Sequence, residues 1–206
     1  MDSQSFPLVV PGYETLASNG AYSPEEVYTP SQITDIVEYA NEVNKFLRPG
    51  HPAVLLTSKF QRGIDVIAEI DTPGHTSVIS KSFPEYIACP EASPWALYAN
   101  EPPAGQLRIA SPDAISFTTG LLANAAKLFP GSYFSTGGDE INVKCYTDDP
   151  ETREALAASG KTLGQALDDF TQAEHKALRD VGKTAVVWEE MVLDHQVTLA
   201  NDTVVM

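Results

Sequence analysis

Runs of apolar, mostly β-branched residues predict four strands in this chain. Ile64–Ile70 (IDVIAEI) and Thr184–Trp188 (TAVVW) are nearly continuous, Tyr133–Thr136 (YFST) is shorter, and Thr203–Met206 (TVVM) begins a fourth run. Continuous runs are typical of parallel strands that are covered on both faces, whereas half-exposed strands alternate apolar and polar residues. The pattern therefore predicts a buried parallel sheet.

Between these runs, apolar residues recur at helical spacing in three segments. Ser31–Ala40 has Ser31 as its candidate N-cap, Ser111–Leu128 begins Ser-Pro-Asp, and Thr162–Val181 is amphipathic, with Gly182 placed to end it. Helices and strands thus alternate, which is the pattern of the α/β class. Alternation alone leaves open a doubly wound sheet or a (β/α)8 barrel.

A long segment between two of these elements, Cys89–Leu107, is rich in Pro, Ala and Glu. Its apolar residues follow neither the helical nor the strand periodicity. Structureless stretches of this length are usually functional or disordered. Because the segment follows the first predicted strand, it is expected at the carboxyl ends of the strands. That side carries the active site in barrels.

The net charge of the chain limits the classes of partner that it can bind. Formal net charge is −15 over 206 residues, and an acidic protein repels phosphate backbones and anionic membrane surfaces. Nucleic acid and membranes are not expected partners, whereas a neutral sugar is compatible. No apolar run approaches the roughly 18 residues of a membrane helix. Met1–Gln4 shows no secretory signal, which fits either a cytoplasmic protein or a missing natural N-terminus.

Paired acids follow the third strand run, in Gly137-Gly138-Asp139-Glu140. Glycosidic bonds are usually cleaved by two carboxyl groups, and barrel enzymes hold such groups at the carboxyl ends of strands. Two glycines permit an irregular turn that aims neighbouring acids the same way. The alternative is a pair of solvated loop acids.

Two further strand ends carry polar or aromatic residues. Glu69-Ile70-Asp71 leads into Thr-Pro-Gly and His75, where Asp71 is a candidate ligand for sugar hydroxyls and His75 a partner for a catalytic carboxylate. Trp188-Glu189-Glu190 offers a wall for a sugar ring. The alternatives are a capped turn and core packing. Asp71 and His75 lack the spacing of known zinc or calcium motifs.

Six short strings occur in the order and spacing of one enzyme family. They are Asp2–Pro7 (DSQSFP), Gly20–Ser23 (GAYS), Val27–Pro30 (VYTP), Glu69–Thr76 (EIDTPGHT), Gly137–Glu140 (GGDE) and Val187–Glu190 (VWEE). Together they resemble the family-20 glycoside hydrolases, the β-N-acetylhexosaminidases, with a fungal character in the loop 98–107. The resemblance covers nearly the whole chain.

This resemblance implies a catalytic (β/α)8 TIM barrel, of which the chain represents roughly strands 2 to 6. It implies hydrolysis of terminal, non-reducing β-linked N-acetylhexosamine by a retaining, substrate-assisted mechanism. Glu140 is then expected to be the general acid/base. Asp139 is expected to orient the substrate's 2-acetamido group and to stabilise the oxazolinium ion that forms from it.

The remaining site residues are also implied by the resemblance. His75 and Asp2 are expected to support the acid pair through hydrogen bonds, with Asp71 beside them. Trp188 and Glu190 are expected in the substrate pocket. The family implies no metal and no organic cofactor. The expected partner is an oligosaccharide or glycoconjugate, such as a chitin fragment, and the full-length protein is expected to be secreted, vacuolar or lysosomal, with a homodimer allowed.

Cys89 and Cys145 are the two cysteines of the chain. Composition alone fits two buried thiols as well as a bridge. The resemblance implies a Cys89–Cys145 disulfide that joins two active-site loops, and therefore an oxidising compartment. Asn201-Asp202-Thr203 is a candidate glycosylation site at Asn201.

The chain departs from the family in three ways. Ser135 stands where the family has a histidine. The parts of a barrel before strand 2 and after the start of strand 6 are not represented, so the 206-residue chain alone is expected to be inactive. An inactive fragment or a carbohydrate-binding pseudoenzyme of the same family is therefore the alternative function. The third departure is residues 43–61, whose deletion would restore a normal family sequence. We interpret this basic stretch as a possible translated intron, expected to form a disordered or loosely packed loop.

Overall fold

The computed structural model describes residues 3–42 and 63–206. Helices and strands alternate through most of this part of the chain. In chain order they are α1 (Glu14–Gly20), α2 (Pro30–Glu42), β1 (Ile87–Ala88), β2 (Gln106–Leu107), α3 (Pro112–Ala126), β3 (Tyr133–Gly137), α4 (Val143–Asp148), α5 (Pro150–Ser159), α6 (Leu163–Asp180), β4 (Thr184–Val187), α7 (Glu190–Leu193) and β5 (Val204–Val205). No helix of the described residues is long and apolar enough to cross a membrane.

The main sheet is parallel, with the strand order β3-β4-β5. β3 and β4 confirm two predicted strands, while the predicted strand Thr203–Met206 is shortened to Val204–Val205. The central strands are covered because α3 and α6 pack against each other and α6 packs on β4. Phe134 of β3 and Val187 of β4 are fully buried. The sheet is therefore the core element from which the site residues emerge.

The prediction of a regular strand over Ile64–Ile70 is wrong in its extent. This segment makes one isolated bridge, between Glu69 and Ser135, rather than a ladder. The Ile70 N–H donates to the Ser135 carbonyl at 3.2 Å, while the Ser135 N–H donates to the carbonyl of Ala68 at 2.9 Å. Ile67 is 48% exposed, so burial of this segment is confined to its end. Only that end, beside β3, is held in a strand-like register.

Local capping explains where the helices begin. The Ser111 side chain accepts the N–H of Ala114 and begins α3, and Thr162 forms a capping box with Gln165 at the start of α6. The prediction of Ser31 as the N-cap of α2 is wrong. The Thr29 hydroxyl accepts the Gln32 N–H at 3.3 Å, while the Gln32 side chain accepts the Thr29 N–H at 2.8 Å. Pro30, which cannot donate, therefore occupies the first helical position.

The segment Cys89–Leu107, predicted to lack structure, has two short elements. Trp95–Leu97 forms a 3-10 helix, and β2 pairs antiparallel with β1, where Ile87 faces Leu107. The predicted disulfide is present between Cys89 and Cys145. It ties this segment to α4, the helix that follows the acid pair.

The predicted insert, residues 43–61, lies outside the described residues. The described residues on either side of it meet each other. The Ile64 N–H donates to the Ala40 carbonyl at 3.1 Å, and a side chain on Gly63 would come within 2.7 Å of the Asn41 Cα atom. The two flanking segments therefore lie side by side, and the interpretation of residues 43–61 as an insert stays a prediction.

Candidate active site

One cavity of about 260 Å³ opens at the ends of the segment before Asp71, of β3 and of β4. Its volume lies close to the lower end of the range for small-ligand sites, about 300–1,000 Å³. Five residues predicted from sequence line it together with three that had no assigned role. The lining residues are Gln4, Glu69, Asp71, His75, Glu101, Asp139, Glu140 and Trp188.

The two glycines after β3 are required by close contacts. Gly137 has a φ of 67°, and a side chain there would lie 1.9 Å from Asp71 Oδ1. Gly138 has a φ of 106°, and a side chain there would lie 2.5 Å from the Met191 side chain. Such φ values favour glycine. The glycine pair lets the backbone turn beside Asp71, so that the two acids after it reach the same cavity.

His75 lies among three carboxyl groups. Its Nε2 atom is 3.4 Å from Glu140 Oε2, 3.7 Å from Asp139 Oδ1 and 3.8 Å from Asp71 Oδ2. The imidazole is mostly buried, whereas the Glu140 side chain is 36% exposed. His75 is therefore placed to interact with whichever carboxyl carries negative charge.

Asp71 is the buried member of this carboxyl group cluster. Its Oδ1 accepts the Gly138 N–H at 2.8 Å. Burial raises the pKa of Asp71 to about 9, helped by a hydrogen bond with Asp139 and by the charges of Asp139 and Glu69, although the Gly138 N–H acts in the opposite direction. Asp139 Oδ1 is buried and has no other hydrogen-bond donor among the described residues. A protonated Asp71 is a hydrogen-bond donor at neutral pH, which suits its place beside the Asp139 carboxyl.

Glu140 has an unusual backbone conformation for a residue with a side chain. Its φ is 53°, in the left-handed region that non-glycine residues rarely adopt. Conformations of this kind concentrate at functional sites, where the surrounding structure enforces them. Glu140 also lines a narrow adjoining pocket with Tyr98 and Glu101. Its carboxyl therefore faces the boundary between the main cavity and the Cys89–Leu107 segment.

Of the other predicted site residues, some line the cavity and some do not. Trp188 lines the cavity, and its backbone N–H donates to the Gly137 carbonyl at 3.0 Å. Glu190 is not among the lining residues, because the chain turns after Trp188 and Glu190 becomes the first residue of α7. Asn201 is exposed in a turn, so its glycosylation stays a prediction. Asp2 lies outside the described residues.

Comparisons with known proteins now decide the family. The family model "Glycosyl hydrolase family 20, catalytic domain" matches residues 1–53 and 54–206. The chain belongs to glycosyl hydrolase family 20. The break between the two matched ranges falls within the predicted insert.

Individual family-20 relatives agree with this assignment. A β-hexosaminidase of Arthroderma benhamiae is 33% identical over 97% of this chain and 30% of its own length. β-Hexosaminidase 3 of Arabidopsis thaliana is 29% identical over 100% of this chain and 32% of its own length. The chain thus spans about a third of the length of these relatives.

A solved family-20 structure confirms the fold class. The chitobiase of Flavobacterium johnsoniae superimposes with a TM-score of 0.73 at 24% identity, over 100% of this chain and 28% of that protein. The described elements are part of an α/β barrel. The resemblance stated from sequence is therefore confirmed for both family and fold.

A side chain of the Cys89–Leu107 segment completes the lining of the cavity. The disulfide fixes one end of the segment. At the other end, Gln106 Nε2 donates to the Asn142 carbonyl at 2.7 Å, and the Asn142 N–H donates to Gln106 Oε1 at 3.1 Å. These contacts hold Glu101 at the cavity. The segment lies at the carboxyl ends of the strands as expected, whereas Glu101 was not predicted to line the cavity.

Three lining residues were not singled out from the sequence as site residues. Glu69 lies in a quoted motif, and the Ser135 hydroxyl donates to its Oε2 atom at 2.5 Å. Gln4 donates from Nε2 to the Pro102 carbonyl at 2.9 Å, which links the N-terminal string to the segment that carries Glu101. Gln4 and Glu101 reach the cavity through contacts between distant parts of the chain. The sequence around each residue therefore does not show that its side chain lines the cavity.

Three side chains of the cavity could also hold a metal ion. Ligand atoms of Asp71, His75 and Asp139 lie within 4.8 Å of one another. Asp71 already accepts a backbone N–H and hydrogen-bonds with Asp139. We therefore attribute the cluster to carboxyl chemistry, and the sequence-based expectation of no metal stays a prediction.

Proposed function

We propose that this chain carries the acid/base and acetamido-orienting part of a β-N-acetylhexosaminidase active site. The observation that supports this most is the cavity in which residues from three separate strand ends meet, with Asp139, Glu140 and Trp188 among them. The substrate class is a glycan with a terminal, non-reducing β-linked N-acetylhexosamine, either GlcNAc or GalNAc. The chitin-fragment, glycoprotein and glycolipid forms of this terminus share the same sugar.

The first step breaks the glycosidic bond. The carbonyl oxygen of the substrate's own 2-acetamido group attacks the anomeric carbon and forms a cyclic oxazolinium ion, while the bond to the leaving oxygen breaks. Glu140 gives its proton to that oxygen, so the alcohol leaves neutral. Asp139 accepts the acetamido N–H, which aims the carbonyl and stabilises the positive charge that develops. Its buried Oδ1 atom is suited to this because few other donors compete for it.

The second step releases the sugar. Glu140, now a carboxylate, removes a proton from water as the water oxygen attacks the anomeric carbon from the face that the alcohol left. The oxazolinium ring opens and restores the acetamido group, so the configuration is retained. His75, 3.4 Å from Glu140, stabilises the carboxylate form between the steps. Asp71 contributes by hydrogen bonding to Asp139.

The surroundings suit a neutral sugar. Trp188 supplies the apolar wall against which the acetamido methyl or the ring face packs. The acidic charge of the chain does not oppose an uncharged substrate. A secreted, vacuolar or lysosomal site of action and a homodimer of the full-length protein complete this proposal, and the Cys89–Cys145 bridge supports an oxidising compartment.

Release of p-nitrophenol from p-nitrophenyl-N-acetylglucosaminide tests the proposal. The assay compares the 206-residue chain with a chimaera in which it replaces the matching part of the Arthroderma benhamiae relative. We expect activity in the chimaera and little in the chain alone. Glu140→Gln should lower kcat of the chimaera by about 10²–10⁴, the range for a general acid.

Glu189→Gln is the matched control, because Glu189 is exposed and does not line the cavity. Full activity of Glu140→Gln would remove Glu140 from its role. Sugar binding by a folded, inactive chimaera would instead support the alternative, a carbohydrate-binding pseudoenzyme.

A further inference from the structure

A second depression lies beside the catalytic cavity, on the N-terminal part of the chain. Its volume is about 670 Å³, which is more than twice the cavity's volume of about 260 Å³. We call it the tyrosine groove, because Tyr22 and Tyr28 line it together with Gln4, Glu25 and Glu26. Gln4 also lines the catalytic cavity. The groove therefore adjoins the cavity at Gln4.

Backbone hydrogen bonds hold the two walls of the groove together. The Phe6 N–H donates to the Gly20 carbonyl at 3.0 Å, and the Tyr28 N–H donates to the Pro7 carbonyl at 2.8 Å. The Val9 N–H donates to the Tyr28 carbonyl at 2.9 Å, which completes a parallel bridge. The groove is thus built on paired backbone, and a preformed site lowers the entropy cost of binding.

The side chains of the groove suit a neutral sugar. Tyr22 is 74% exposed and Tyr28 is 46% exposed, so both rings are accessible. An aromatic ring offers an apolar face on which the C–H face of a sugar ring can pack, while the phenol hydroxyl still forms hydrogen bonds. The carboxylates of Glu25 and Glu26 accept protons from sugar hydroxyls. The same two charges disfavour an anionic ligand.

The groove lies on the side of the cavity where the leaving group departs. Glu140, the proposed acid, and Glu101 together line both the cavity and the narrow pocket beside it. Pro102 follows Glu101, and its carbonyl accepts the Gln4 Nε2 hydrogen at 2.9 Å. A glycan whose terminal sugar fills the cavity continues from the oxygen that Glu140 protonates. Gln4 and the groove behind it therefore lie on the side where the rest of that glycan continues.

We propose that the tyrosine groove binds the second and third sugars of an unbranched, neutral oligosaccharide of β-linked N-acetylglucosamine, whose terminal sugar occupies the cavity. Tyr22 and Tyr28 pack against the sugar rings, and Glu25 and Glu26 accept their hydroxyls. A cavity that holds one sugar is less than half the volume of the groove, which leaves room for two. This inference rests on the proposed function, because the terminal sugar in the cavity sets the direction of the chain.

Affinity measured against oligosaccharide length tests the proposal. Isothermal titration of the 206-residue chain compares N-acetylglucosamine, N,N′-diacetylchitobiose and N,N′,N″-triacetylchitotriose. We expect the trisaccharide to bind about tenfold tighter than the monosaccharide, because its further rings pack on the tyrosines. Tyr22→Ala should remove most of this gain and change the monosaccharide affinity by less than about twofold. Tyr22→Trp keeps an aromatic face and should retain the gain.

Tyr39→Ala is the matched control. Tyr39 is 73% exposed on α2, almost as Tyr22 is, and does not line the groove. Because neither tyrosine is part of the core, both alanine variants should fold as the parent does. Tyr39→Ala should keep the parent affinity for all three sugars, and an equal loss of trisaccharide affinity in both variants would overturn the inference.

Other outcomes separate this inference from the proposed function. Equal affinities of the parent chain for the monosaccharide and the trisaccharide overturn the inference alone, as does a gain with length that Tyr22→Ala retains. Tyr22-dependent binding of the trisaccharide without any binding of N-acetylglucosamine would contradict the proposed function and leave a sugar site in the groove. If the chain binds none of the three sugars, both proposals are wrong.

Discussion

Two neighbouring stretches of chain end in site acids, yet they are built differently. β3 pairs with β4 along its length and has a fully buried Phe134. The stretch before Asp71 has one bridge to β3, and its Ile67 is 48% exposed. Both nevertheless deliver a carboxyl group to the same cavity.

The difference shows that pairing of only the last few residues of a strand is enough to position a site acid. Three backbone hydrogen bonds between residues 68–72 and residues 135–136 fix the final residues before Asp71 independently of the residues that precede them. Local stability need not be uniform across one sheet. The geometry of the acids therefore depends on the contacts at the rim, and overall stability depends on the paired strands β3 and β4 and on α6, which packs on β4.

The largest expected effect is on β3. Phe134→Ala should lower the free energy of unfolding by about 3–5 kcal/mol, because it empties a buried aromatic position. Ile67→Ala, in the weakly paired stretch, should cost about 1 kcal/mol or less, since the side chain is already half in water. Urea unfolding measures both. Equal losses would mean that the two stretches are equally ordered.

The next effect concerns the turn between them. Gly137→Ala should cost about 2–4 kcal/mol, because it combines a positive φ with a contact at 1.9 Å to Asp71 Oδ1. Gly160→Ala is a matched control, with the same φ of 67° and nothing within 4 Å. The control should cost about 1 kcal/mol. A Gly137 variant as stable as the Gly160 variant would disprove the close approach of Asp71 and β3.

A smaller effect is the pH dependence contributed by Asp71. Because its folded pKa, about 9, lies above the ordinary aspartate value, Asp71 stabilises the fold fully below pH about 4. That stabilisation is lost as pH rises towards 9. Asp71→Asn stays neutral, so it should lose less stability than the parent between pH 5 and 9. Thermal unfolding across this range gives the comparison, and parallel curves would contradict a raised pKa.

The smallest effect is expected from the predicted insert. Deleting residues 43–61 should leave the fold intact and change stability by about 1–2 kcal/mol at most, in the stabilising direction, because loop closure costs grow slowly with length. The contact between Ile64 and Ala40 should survive the deletion. Unfolding of the shortened chain would show that the segment is an integral part of the protein. Sequencing the transcript tests its origin, since a mature message that contains the segment removes the intron interpretation.

Features set by local chemistry could be predicted from the sequence. The apolar runs of β3 and β4 and the caps Ser111 and Thr162 act within a few residues, so their elements were found. The Gly-Gly-Asp-Glu string likewise carries its own turn. In contrast, the exposure of Ile67 depends on which strands lie beside it, and no periodicity contains that information.

The site residues also divide into those set by local sequence and those set by contacts between distant parts of the chain. Asp139, Glu140 and Trp188 stand at strand ends and could be placed by motif. Glu101 reaches the cavity through a disulfide and a reciprocal amide contact between Gln106 and Asn142. The family resemblance implied the disulfide, whereas the amide contact is a product of the folded state and had no sequence signal.

The two tryptophans of the chain offer the most direct measurement of the central claim. Trp188 lines the cavity beside Asp139 and Glu140, while Trp95 lies in the Cys89–Leu107 segment and does not line that cavity. Indole N–H signals of the ¹⁵N-labelled chain can be followed while N-acetylglucosamine is added, with glucosamine, which lacks the acetyl group, as the control sugar. We expect a saturable shift of the Trp188 signal with little change at Trp95, and a weaker response to glucosamine. Equal movement of both signals, or none at Trp188, would contradict a sugar site formed by these strand ends.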